Sequence, residues 1–149
     1  MDFKDVVTLY FERSNALQTY WSFYTTMGGA LLAYFGGMKP SANKYLIAVV
    51  LSISFVSFAA VNLDALRAVT KARVICRDLI YSGKLANSPS PEAQEQIQKL
   101  ITPWPFAYVA AMHISGDLFT LGGIWFLVLT KSDHKAHASP AKPVAKSDS

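Results

Sequence analysis

The chain predicts an all-α integral membrane protein with three transmembrane helices, an amphipathic cytoplasmic extension of helix 2 and a disordered C-terminal tail. Three observations predict this. The 149 residues are 52% hydrophobic with a mean hydropathy of +0.24, too apolar for an ordinary water-soluble domain of that length. The apolar residues gather into three blocks instead of spreading as stripes. The basic residues lie outside the blocks, and a net charge of +4 suits contact with anionic headgroups.

Span 1 is expected over about 16–38 (ALQTYWSFYTTMGGALLAYFGGM), span 2 over about 45–63 (YLIAVVLSISFVSFAAVNL) and span 3 over about 105–130 (PFAYVAAMHISGDLFTLGGIWFLVLT). Each offers roughly 20 residues, enough to cross about 30 Å of hydrocarbon at about 1.5 Å per residue. Backbone polar groups find no water in lipid, so each block must be helical. Gly36, Gly37 and Pro40 stop the first helix, and the short turn to Asn43 makes spans 1 and 2 an antiparallel hairpin.

Outside the spans, residues 1–15 read as a juxtamembrane amphipathic helix with the apolar line Phe3, Val6, Val7, Tyr10. Acids stand where a signal peptide has its basic region, so insertion is expected through the spans themselves. The cytoplasmic loop 64–104 begins as a continuation of helix 2, because Asp64 to Tyr81 contains no Gly or Pro. Its apolar line is Ala65, Val69, Ala72, Cys76 and Leu79. Arg67, Lys71, Arg73, Arg77 and Asp78 are expected on the other side, facing lipid headgroups or an acidic partner. Ser90, Pro91 and Glu92 open a short capped helix edged by Ile97, Leu100 and Ile101, and Trp104 is placed at interface depth. Residues 131–149 form an Ala/Lys/Pro/Ser tail without core-forming residues.

The basic cluster just after span 2 favours a cytoplasmic N-terminus and an outer tail, hence a multi-pass protein of the cytoplasmic membrane if the cell is bacterial.

Two motifs carry the functional reading. Asp117 lies deep in span 3, where a carboxylate costs about 2.5–3.5 kcal/mol on insertion scales, and His113 sits four residues earlier on the same face. Depth matching brings Tyr24, Thr25 and Thr26 of span 1 and Ser54 and Ser57 of span 2 level with this pair as hydroxyl partners. Asn62 and Asp64 are placed lower, with Asn15 and Gln18 near the inner interface. The pair reads either as a polar clamp between helices or as a protonatable site. The second motif is small residues at four-residue spacing, Gly29, Ala33 and Gly37 in span 1 and Ala107, Ala111 and Ser115 in span 3. Such faces let another helix approach closely, from a second chain or from within the protein.

Several classes are disfavoured. The chain contains no HExxH, nucleophile elbow, P-loop or dinucleotide fingerprint, so no enzyme is expected. With a single cysteine, Cys76, and one histidine in the spans, neither a metal nor another cofactor is expected; His134 and His137 lie in the solvated tail. Basic residues without interleaved aromatics on a soluble fold exclude a nucleic-acid partner. The expected partners are the lipid bilayer and a homo-oligomer or membrane complex. The leading expectation is a small non-catalytic subunit or scaffold assembling through its small-residue faces. The alternatives are a homo-oligomeric ion or proton channel built on Asp117 and His113, and the membrane anchor of a redox or other enzyme complex.

Overall fold

The computed structural model describes residues 1–39 and 41–136, with side chains of 131–136 left aside. The described chain is all-helical: α1 (Phe3–Gly37), α2 (Lys44–Tyr81), α3 (Pro91–Leu100) and α4 (Phe106–Ala136). The three long helices each pack against the other two, and α3 rests on α2.

Helix α1 is continuous through 35 residues, so no break separates the N-terminal amphipathic segment from the first apolar block. Asp2 gives α1 no side-chain cap; its carboxylate instead accepts from the Asn87 amide at 3.3 Å, while the Phe3 N–H donates to the Ala86 carbonyl at 3.0 Å. Helix α2 runs for 38 residues as expected and ends at Ser82, followed by Gly83 at φ +65°, a left-handed position suited to glycine. The predicted cap of α3 is present: the Ala93 N–H donates to Ser90 Oγ at 3.4 Å, with Pro91 opening the helix. Helix α4 continues to Ala136, past the predicted start of the tail. The rest of that tail, including His137, lies outside the described residues, as do the His134 side chain and Pro40 of the outer turn.

Three apolar clusters run along the bundle. At one end Phe3, Val6 and Tyr10 of α1 meet Cys76 and Ile80 of α2 and Ile101. In the middle Tyr24 packs with Phe55 and Ala59. At the far end Phe35 and Ala48 meet Ile124 and Val128, and the buried Lys44 ammonium donates to the Val128 carbonyl at 3.0 Å.

Among the described residues two helices, α2 and α4, are long and apolar enough to cross a membrane, and 22% of each apolar stretch is buried within the protein. A core helix of a water-soluble protein is mostly buried, whereas these turn Leu46, Val50, Ile53, Leu118, Phe119 and Phe126 outward. Helix α1 has the length but falls short in apolarity. The reason is local: its outward face carries Asn15, Gln18, Thr19, Ser22 and Thr26 in place of aliphatic residues.

The inward face of the α2 extension is rotated from the expected one. Leu66, Val69, Thr70, Cys76 and Ile80 are buried there, and Leu79 is exposed. On α3, Ile97 packs inward and Ile101 is buried just beyond it, but Leu100 is exposed, as is Trp104.

Candidate functional site

His113 and Asp117, one turn apart on α4, form the centre of a polar network reaching all three long helices. The His113 ring is fully buried, and its Nδ1 lies 3.1 Å from Asp117 Oδ2. The second oxygen of Asp117 accepts from the Tyr24 hydroxyl of α1 at 2.9 Å. That hydroxyl also lies 3.0 Å from the His113 carbonyl, so one proton is shared between two acceptors. On the far side of the imidazole, Asn62 Nδ2 of α2 lies 3.2 Å from His113 Nε2. With the Asn62 amide donating, Nε2 is the acceptor and Nδ1–H donates to the carboxylate, giving a neutral ring. Turning the amide over would present its oxygen to a doubly protonated ring.

Aromatic rings enclose the network. The Tyr24 ring lies on the imidazole with centroids 4.1 Å apart, Trp21 stands 5.8 Å from it, and Phe55 lies 6.1 Å from Tyr24. Close approach of α1 and α4 depends on Gly116, where a Cβ would lie 2.5 Å from Tyr24 Oη. Gly28 similarly faces Thr120 Oγ1 at 3.1 Å, and Gly123 faces Leu32 Cδ2 at 2.6 Å. Both Asp117 oxygens thus find donors within the chain, which offsets the cost of placing a carboxylate among apolar helices.

Of the expected hydroxyl partners, the network takes in Tyr24 only. Ser54 and Ser57 are exposed and donate at 3.0 Å to the Val50 and Ile53 carbonyls of their own helix. Thr25 bonds back to the Trp21 carbonyl at 3.0 Å, and Thr26 faces outward. Asn62, placed lower by depth matching, instead lies level with His113. The imidazole is seven residues beyond Phe106 and Asp117 eleven, so the network reaches from the end of α4 nearer Trp104 to the middle of the apolar stretch Phe106–Thr130. A sequence signal for Asn62 exists: Phe55, Ala59, Asn62 and Leu66 recur at helical spacing, and all four are buried.

The predicted small-residue faces point away from the bundle. Gly29 and Gly37 have nothing within 4 Å of an added Cβ, and Gly29, Ala33, Gly37, Ala107, Ala111 and Ser115 are all exposed. Internal packing uses Gly28, Gly116 and Gly123 instead.

The four cations of the α2 extension do not share one face. Lys71 is exposed, and Arg67 lies with its guanidinium 6.0 Å from the Phe106 ring. Arg77 pairs with Asp78 at 2.7 Å. Arg73 turns inward, donating from Nη2 to the Tyr10 hydroxyl at 3.0 Å. Nearby, burial pushes the Cys76 thiol above its ordinary range, with the Arg13 charge opposing.

Among the described residues, no three His, Cys, Asp or Glu side chains come together in a way that could hold a metal ion. No protein-family model matches the chain, and neither curated proteins nor solved structures provide a match.

Proposed function

We propose that this chain is a small non-catalytic membrane subunit that crosses the bilayer three times and assembles with another membrane helix through α1. Its N-terminus and the α2 extension lie on the cytoplasmic side. The observation that carries this reading is the outward face of α1. From Asn15 through Gln18, Ser22, Thr26, Gly29 and Ala33 to Gly37 it is uncharged, built of small and polar residues, and exposed. In lipid such a face is poorly solvated, and small and hydroxyl-bearing residues are the ones that bring membrane helices together. The His113–Asp117–Tyr24–Asn62 network is the internal clamp that holds α4 and α2 against the opposite side of α1.

A proton-conducting axis through His113 has less support. The ring is fully buried in the protomer, and its partners come from the same chain. An anchor holding haem through this histidine is disfavoured for the same reason, since both ring nitrogens are engaged.

The test is oxidative cross-linking in native membranes with single cysteines at Gly29 or Ala33, in a Cys76→Ser background. A covalent dimer, or a cross-linked partner chain, is expected there but not at the outward position Phe119. Monomer at every position, with no partner co-purifying in mild detergent, would overturn the proposal.

A further inference from the structure

At the end of the bundle carrying Trp104 a pocket of about 390 Å³ opens between α1, the α2 extension and the start of α4. Leu17, Trp21, Val109 and Met112 give it apolar walls, Thr102 and Trp104 line its edge, and Arg73 is its one charged lining residue. The Arg73 guanidinium has one nitrogen bonded to the Tyr10 hydroxyl, and its centre lies 5.1 Å from that ring. Its Nε–H is buried with no protein acceptor among the described residues. A buried guanidinium donor without a partner is costly, and no carboxylate lines the pocket to supply one.

We infer that this pocket binds the phosphate-bearing head of an anionic membrane phospholipid, with Arg73 as the recognising cation. The inference rests on the membrane reading above. That reading puts Trp104 and the first turn of α4 at the interface, where such headgroups lie. A phosphate in the pocket gains the one cation that lines it, and a small turn of the Arg73 side chain would bring its unpartnered Nε–H to a phosphate oxygen. At about 30 Å³ per water-sized group, the volume holds about a dozen non-hydrogen atoms, a phosphate with its glycerol but not the acyl chains. Those chains would leave past exposed Met112 into the bilayer. The apolar walls disfavour free phosphate, which would be desolvated against Trp21, Leu17 and Val109 with one cation to compensate.

The full chain in non-ionic detergent micelles, titrated with phosphatidylglycerol or phosphatidylcholine carrying brominated acyl chains, tests this. Bromine quenches Trp21 and Trp104, and a Trp125→Phe background removes the third indole. Half-quenching by phosphatidylglycerol is expected at about tenfold lower lipid fraction than by phosphatidylcholine, as one charge-assisted bidentate contact provides. Arg73→Gln should abolish that difference. Arg77→Gln, an equal change of charge outside the pocket, should keep it. Thr102→Phe, which narrows the pocket without adding an indole and leaves the arginine, should also abolish it, so a folding defect in Arg73→Gln leaves the inference testable. Equal quenching by both lipids in the wild type, or selectivity surviving Thr102→Phe, would overturn it. So would loss of selectivity on adding millimolar inorganic phosphate at constant ionic strength, because the site would then be one for the free anion. Vesicle flotation separates the two readings. A chain that floats with neutral and anionic vesicles but shows no selectivity keeps its membrane placement and loses this site. A chain that floats with neither loses both.

Discussion

Gly116 of α4 lies directly against the Tyr24 hydroxyl of α1, so close that a methyl group at position 116 would stand 2.5 Å from the phenolic oxygen. The absence of one side chain thus lets a tyrosine reach both the Asp117 carboxylate and the His113 carbonyl. Gly116→Ala should displace the ring and destabilise the bundle by about 1–3 kcal/mol, the usual range for overpacking. Gly122→Ala, which meets nothing within 4 Å, should be neutral or slightly stabilising. Thermal unfolding in detergent compares them. Adding Tyr24→Phe to Gly116→Ala should cost less than the sum of the two single changes, because the phenyl ring lacks the atom that clashes.

The carboxylate is held as an acceptor, so shape and acceptor capacity should matter more at position 117 than charge. Asp117→Asn keeps one oxygen for Tyr24 and is expected to retain fold and assembly. Asp117→Leu leaves His113 Nδ1 without its partner and the Tyr24 hydroxyl with the His113 carbonyl alone, and should destabilise by about 1–3 kcal/mol. Size-exclusion profiles and unfolding midpoints of the two variants check this. Equal loss in both would point to the charge itself.

Adjacent glycines of α1 should behave in opposite ways. Gly29→Leu projects into open space, so the unfolding midpoint should hold while cross-linking between chains is lost. Gly28→Leu meets Thr120 and should destabilise the protomer itself. Loss of stability in both variants, with cross-linking retained at Gly29→Leu, would remove the outward face from assembly.

Cys76 is 2% exposed, and burial raises its thiol above the ordinary value of about 8.5. The thiolate is the reactive form, so alkylation of the native protein at pH 8 should be far slower than after denaturation. The sign of the linkage follows. Above the ordinary thiol range the unfolded chain loses this proton while the folded chain keeps it, so this contribution to stability is full below that range and declines as pH rises through it. Cys76→Ala should flatten that part of the alkaline decline, read from unfolding midpoints across pH 7 to about 10.

The helices were legible because their signals are local. The serine–proline–glutamate start of α3 needs no knowledge of the rest of the chain, nor does the unbroken stretch that becomes α2. The network was legible only in its local half. His113 and Asp117 are one turn apart on one helix, whereas the cross-helix partners depend on how far each helix is slid along its axis. A shift of one turn replaces Asn62 by another side chain and returns Ser57 and Ser54 to their own backbone. Arg73 shows the same limit in rotation. A helical wheel gives the relative angles of residues, but packing against Tyr10 decides which angle points inward. The choice of Gly28 over its neighbour Gly29 for the internal contact is likewise a matter of register.

Helix α2 has one further consequence. It runs 38 residues without glycine, proline or an interruption, about 57 Å at the usual rise. Its apolar half contacts the clamp at Asn62, and its other half is gripped by Phe3, Val6 and Tyr10 around Cys76 and Ile80. A stiff shaft fixed at two heights transmits torque. Rotation of α2 at Asn62 and its rotation at Cys76 and Ile80 are therefore coupled, because one unbroken helix carries both sets of contacts.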